Sequence, residues 1–324
     1  MKLLKELTTC YGPSGNETHI RELIIKNIKE HVDEIQVDVL GNLIARKKGT
    51  GKKMMFAAHM DEIGLIVTYI DEKGFIRFSN IGGVSPQRSL YQRVMFENGI
   101  TGIISYEQKH EDMQKLKLDH LYIDIGAKNK EEAERFVKIG DAACFKGEFI
   151  CQMNRVISKA LDNRIGCYLL IEAIKQIKDH TLDLYFVFTV QEEIGLRGAK
   201  TSAFTVYPDY AIAVDVTLTG DTPNAPTMAI EIGKGPAIKI KDAMVITHPI
   251  VRKMLEDTAK KHCIPYQYEV LEKGGTDVGA VHITKGGVPS GAISIPTRYV
   301  HSTGEVVDMQ DVENSIKLIT KIIS

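Results

Sequence analysis

No stretch of the 324-residue chain is long and apolar enough to span a bilayer, and the first residues lack the uninterrupted apolar core of a signal peptide. With Lys2, Lys5 and Glu6 set among Leu3, Leu4 and Leu7, they read instead as a short amphipathic helix. An excess of charge of either sign is missing too. Lys and Arg number 41 against 42 Asp and Glu, and the formal net charge of −1 gives no electrostatic case for nucleic-acid binding. Cysteine is sparse: Cys10, Cys144, Cys151, Cys167 and Cys263 are odd in number, scattered and never spaced C-x-x-C. That pattern argues for reduced thiols in a cytoplasmic protein and against a thiolate metal site. Internal repeats and low-complexity segments are also absent. What remains is a globular composition, 44% apolar and 26% charged, over a length sufficient for one large core or two domains.

A turn at Gly12-Pro13-Ser14-Gly15-Asn16 precedes Ile20, Leu23, Ile24 and Ile28 at helical spacing. Alternating Ile35, Val37 and Val39, then Gly41-Asn42 and Leu43-Ile44-Ala45, predict a hairpin. The basic clusters Arg46-Lys47-Lys48 and Lys52-Lys53 flank a further predicted hairpin loop, ahead of a strand over residues 54–58. From about residue 65 to about 152 short alternating stretches dominate, joined by turns such as Asp71-Glu72-Lys73-Gly74 and Glu97-Asn98-Gly99, with one helical stretch at 130–136. This texture predicts a small β-barrel or sandwich. From Ile157 onward helices again alternate with buried strands. The expected fold is α/β: a central mixed sheet flanked by helices, built from residues 1–64 and 153–324, with a β-barrel of residues 65–152 inserted in one loop.

The chemistry gathers where strands end. The run Leu184-Tyr-Phe-Val-Phe-Thr-Val190 is β-branched and aromatic, as central strands are, and it leads into Gln191-Glu192-Glu193-Ile194-Gly195. Residues 54–58 lead into His59-Met60-Asp61, residues 210–214 into Asp215, and residues 291–295 into His301 past Pro296-Thr-Arg-Tyr-Val300. In α/β sheets ligands bind at the carboxyl ends of strands. A fifth candidate, Asp162, stands before the helical pattern Ile165, Leu169, Leu170, Ala173, Ile174 and Ile177. Taken singly, each residue has an ordinary reading as a loop histidine, a solvated Glu pair, a turn aspartate or a helix cap. One site explains all of them together. Two His and several carboxylates exceed a single tetrahedral zinc but suit two cations sharing a bridging carboxylate. One of the adjacent Glu residues can then bind metal while the other handles a proton, and spacing leaves open which does which. Asp61 is spaced to orient the ring of His59.

These segments, with Gly82-Gly-Val-Ser-Pro-Gln87, Ser158-Lys-Ala-Leu-Asp-Asn-Arg164, Gly220-Asp-Thr-Pro223 and Gly274-Gly-Thr-Asp277, resemble a family of dinuclear-metal aminopeptidases. It includes glutamyl and deblocking aminopeptidases and the tetrahedral (TET) peptidases, and some members carry an endoglucanase label. The resemblance covers nearly the whole chain and implies a zinc-peptidase-like sheet. Position by position it makes Asp162 the bridging carboxylate, places His59 and Asp215 on one metal and Glu193 and His301 on the other, makes Glu192 the general base, and gives Asp61 the role of orienting His59. It also implies a cis Asp162–Asn163 bond, short peptides as substrates, no membrane or nucleic-acid partner, and a homo-oligomer, the dodecamer built from dimers. Two divalent ions per subunit are expected, zinc first, with cobalt or manganese accepted by the same ligands. The β insertion supplies no expected ligand and leaves strand edges that need covering, so it is expected to drive dimerisation and assembly. The departures, His301-Ser-Thr-Gly304 where the family often has His-Ser-Pro and Val278 where Ala is commoner, spare every ligand position.

Two rivals differ in kind: an amidohydrolase acting on N-acyl amino acids through a similar metal cluster, and a non-catalytic assembly protein of the same fold. The second is disfavoured because every site position is filled. A glycosidase needs two carboxylates flanking the bond and no His-rich cluster.

Overall fold

The computed structural model describes residues 1–109 and 112–324. Strands β1 (Glu34–Val37), β2 (Leu43–Lys47) and β3 (Lys53–His59) come first. Six follow in a second body: β4 (Gly64–Ile70), β5 (Ile76–Ile81), β6 (Arg93–Phe96), β7 (Thr101–Tyr106), β8 (Leu121–Asp124) and β9 (Ala142–Phe145). The chain then returns through β10 (Ile150–Gln152), β11 (Arg155–Ser158), β12 (Asp183–Thr189) and β13 (Tyr210–Thr217). It finishes with β14 (Ala237–Lys241), β15 (Gln267–Val270), β16 (Ser290–Arg298) and β17 (Glu305–Asp308).

One mixed sheet runs β1-β2-β12-β3-β13-β16-β17-β11-β10, with β14 against β16 and β15 against β14. Strands β12, β3, β13 and β16 are mutually parallel neighbours, so their carboxyl ends open on one side. The helix Leu161–Gln176 lies against one face, covered in turn by Lys2–Thr9, Thr18–Ile28 and Met309–Ile323. Sandwiched in this way, it is apolar nearly all round, with Ile165, Leu169, Leu170, Ile171 and Ile174 fully buried. Helices Arg197–Val206 and Val278–Val281 pack on the opposite face. Among the described residues no helix is long and apolar enough to cross a membrane.

Three expectations are corrected. The loop between β2 and β3 is not a hairpin, because β12 lies between them, antiparallel to β2 and parallel to β3; apolar on both faces, β12 takes an interior place in the sheet. Residues 150–152 belong to the large sheet rather than to the insertion. Met153 and Asn154, at φ 50° and 58°, make a two-residue turn that folds β10 back on β11, and the last barrel strand ends at Phe145. The barrel is also closed, with β4 pairing β9 as well as β5, so it offers no open edge. Among the described residues the unpaired edges belong to β1, β10 and β15. Strand β16 runs on past residue 295, with Pro296 inside it. Its missing N–H falls where β16 changes partner, from β13 to β17.

A buried ionic cluster ties the chain's start to this frame. Arg164, fully buried, donates from Nη1 to the Leu7 and Cys10 carbonyls (2.7 and 3.2 Å), and from Nη2 to the Gly12 carbonyl (3.2 Å) and Glu62 Oε1 (3.3 Å). Lys159 holds the other Glu62 oxygen. Removing one member of a buried pair strands its partner without a solvent shell, a loss of about 3–5 kcal/mol. Arg164→Ala is therefore expected to lower the urea midpoint by a corresponding amount, and an unchanged midpoint would show that the cluster adds no stability.

Candidate metal centre

The four parallel strands deliver the site. His59 is the last residue of β3 and lies beside Thr189 at the end of β12, which carries the chain on to Glu192 and Glu193. Asp215 lies within β13, opposite Ser294 of β16, rather than in a loop beyond it. His301 stands three residues past β16. Asp162 opens the helix Leu161–Gln176 with non-helical backbone, and its bond to Asn163 is cis. All seven residues singled out from the sequence converge on one region.

Ligand-type atoms form two groups, each within 4.8 Å: His59, Asp162 and Asp215 in one, and Asp162, Glu193 and His301 in the other. Asp162 belongs to both. Its Oδ1 lies 3.1 Å from His59 Nε2 and its Oδ2 3.2 Å from His301 Nε2. His301 Nε2 is 3.3 Å from Glu193 Oε1, and His59 Nε2 is 3.7 Å from Asp215 Oδ1. Glu192 is in neither group, its nearer oxygen 3.9 Å from His59 Nε2. The geometry thus separates the two adjacent Glu residues where spacing could not.

Asp61 does more than its spacing suggests. His59 Nδ1 lies 3.2 Å from the Asp61 main-chain carbonyl and 3.5 Å from its carboxylate. That carboxylate accepts from Ser14 Oγ (2.6 Å) and from the backbone N–H groups of Glu192 (3.1 Å) and Glu193 (3.3 Å). It therefore holds the Glu pair as well as facing the ring. Glu305 escaped sequence reasoning altogether. Buried, it accepts from the N–H of Asp162 (2.9 Å) with one oxygen and from the N–H of His301 (2.8 Å) with the other. The spacing His301-x-x-x-Glu305 was the only available signal. Ser14 lay in a stretch read as a turn. A cleft of about 620 Å³ opens over the cluster, with Leu196, Leu218, Met244 and Leu271 on its walls.

A sequence profile of the M42 glutamyl aminopeptidases matches residues 41–318. The chain belongs to the M42 glutamyl aminopeptidase family. It is 60% identical over 321 residues to a putative aminopeptidase of Acetivibrio thermocellus, covering 99% of this chain and 97% of that one. It is similar to the solved aminopeptidase of Desulfurococcus kamchatkensis (42% identity, TM-score 0.96, 99% and 93% covered). A TET1 peptidase of Pyrococcus horikoshii, described as assembling into a tetrahedron or a large octahedral shell, is also similar (37% identity, TM-score 0.88, 99% and 98% covered). As an M42 aminopeptidase the protein is a hydrolase that removes N-terminal residues from peptides.

The donor set of this M42 chain fits divalent cations, because it joins buried carboxylates to imidazoles and includes no thiolate. Its electrostatics say the same. Burial alone would lower His59, but Glu192, Asp162, Asp61 and Asp215 outweigh burial and hold it well above its usual value. Burial is likewise outweighed at His301, which Asp162 and Glu193 raise to about 11. Burial pushes Glu192 and Asp215 well above the carboxylate range and raises Glu193. Asp162 resists burial and is held low by His301 and His59. Protons thus occupy places that a cation can take.

The sign of the pH dependence follows. A histidine raised in the fold contributes stability that is complete below its unfolded value of about 6.5 and is lost as pH climbs through the folded one. Cation uptake requires those protons to leave, as it does at the raised carboxylates. Affinity for a divalent cation is expected to rise between about pH 6 and pH 8, with protons released on binding. Titration calorimetry in buffers of different ionisation enthalpy reads this directly; uptake without proton release would contradict it.

Proposed function

We propose that the cluster holds two divalent cations, zinc first and cobalt or manganese as alternatives, with His59 and Asp215 on one, Glu193 and His301 on the other and Asp162 between them. The observation that carries this reading is Asp162, which turns one oxygen toward each histidine. When bound, such a pair of cations activates a water and polarises the scissile carbonyl. Glu192 acts as the general base: outside both ligand groups and lining the cleft, it takes a proton from the attacking water and returns it to the leaving amine. Asp61 keeps Glu192 on station through its backbone N–H. The apolar walls of the cleft receive the first side chains of a short peptide.

Glu192→Gln removes the proton acceptor and spares every proposed ligand, so hydrolysis should fall by about a hundred- to ten-thousand-fold with two metals retained. Glu193→Gln should instead lose one metal. Elemental analysis beside turnover of an aminoacyl-nitroanilide checks both, and the opposite pattern would exchange the two roles. Faster cleavage of N-acyl amino acids than of aminoacyl substrates would favour the deacylase reading.

The barrel, on this reading, is the assembly element of a homo-oligomer, a dodecamer built from dimers. Support comes from large apolar side chains exposed on it, among them Tyr69, Tyr91, Ile103, Phe136 and Ile139, and from the shells formed by the TET1 relative. Five free, scattered cysteines suit a cytoplasmic location. Light scattering at micromolar concentration should report a particle far larger than 36.1 kDa, and a monomer would overturn the assembly.

A further inference from the structure

We infer that barrel residues 82–92 are a positioning element for His301, so that the inserted barrel governs one of the two metal sites and leaves the other alone. The inference rests on the dinuclear reading above and concerns what makes the second site competent.

His301 stands on a loop beyond β16, in left-handed backbone at φ 61°. From the large sheet, Glu305 accepts from its main-chain N–H at 2.8 Å. The imidazole is oriented from the other body: its Nδ1–H donates to the main-chain carbonyl of Gly83, 3.1 Å away, just past β5. That bond leaves Nε2 facing Asp162 and Glu193, the orientation in which it can bind a cation. The same barrel segment grips the loop on either side of the ring. Arg88 Nη1 donates to the Val300 carbonyl at 2.8 Å, and Thr303 Oγ1 donates to Gln92 Oε1 at 3.0 Å. Glu193, the other private ligand of this group, also lies against the segment. A Cβ built on Gly82 would come within 3.0 Å of the Glu193 Cβ.

The closeness leaves no room for a side chain at Gly83. A Cβ there would lie 2.6 Å from His301 Nδ1 and 2.7 Å from Cε1, so only glycine lets its carbonyl reach the ring. His59 is held differently. Its Nδ1 partners both come from Asp61 at the end of its own strand. The two histidines that flank Asp162 are therefore oriented by separate bodies, and a disturbance of the barrel segment should reach one cation and not the other.

The test is calorimetric titration of the metal-free full-length protein with zinc, which reads binding whether or not the enzyme turns over. Gly83 lies outside the left-handed region, so alanine fits its backbone and acts through the ring it displaces. Gly83→Ala should weaken one of two sites about ten- to a hundredfold, the usual cost of losing a ligand's supporting partner, and leave the other at the wild-type value. The weakened site should be the one lost in Glu193→Gln and kept in Asp215→Asn. Arg88→Ala, an exposed position with little bearing on folding, should weaken the same site to a smaller degree. Ile123→Val, in the barrel core away from the loop, should change neither and so separates positioning from general loosening. Wild-type affinity at both sites in Gly83→Ala, or equal weakening of both, would overturn the inference. A wild-type protein that takes up fewer than two cations overturns the dinuclear reading itself, and is told apart because it shows in the unmutated titration.

Discussion

Asp162, itself buried, turns one oxygen to each of two histidines at the floor of the cleft, and this shared carboxylate is the constraint that the surrounding structure serves. Buried charges at such density are costly unless positive and negative groups alternate at close range or a cation settles among them. The raised imidazoles and raised carboxylates around Asp162 express that cost as bound protons. A divalent cation relieves it with more charge in less space, which is why a cluster so poorly suited to remaining ionised is well suited to binding metal.

Holding such a cluster takes carboxylates that bind no metal. Asp61 and Glu305 spend their oxygens on main-chain N–H groups: Asp61 on those of Glu192 and Glu193, Glu305 on those of Asp162 and His301. Side chains are placed by placing the backbone beneath them. Further out, Arg164 gathers three carbonyls of the N-terminal segment and Glu62 at the start of the same helix that carries Asp162. The segment that supplies Ser14 to Asp61 is thus anchored to the helix that carries Asp162.

The barrel stands in a double relation to this centre. It closes on itself through β4 and β9, leaving its outer surface rather than any strand edge to meet other molecules. On its inner side the turn after β5 reaches the ring of His301. Among the described residues the barrel adds no member to either ligand-type group, yet its turn lies against both His301 and Glu193, which gives a physical route between the barrel surface and the cluster beneath it.

Composition and periodicity alone determined a good deal. Apolar runs ending in His or acidic residues located His59, Glu192, Glu193 and Asp215, because a strand buried on both faces must be written in apolar residues and parallel strands present their carboxyl ends together. The alternation after Ile63 marked a β body, since period two is visible locally. Tertiary structure decided what depends on which distant backbone groups meet. Closure of the barrel is a matter of register between β4 and β9, and the turn that returns β10 to the sheet uses Met153-Asn154, with no glycine to announce it. Which Glu joins the group with Asp162 and His301 depended on the path the chain takes after β12, where Asp61 accepts both backbone N–H groups. Glu305 and Gly83 were illegible for the same reason: one acts by accepting two N–H groups separated by most of a domain, the other through a carbonyl that every residue possesses. Local sequence records the identity of side chains, whereas the orientation of a ligand is settled by main-chain partners that only the folded chain brings within reach.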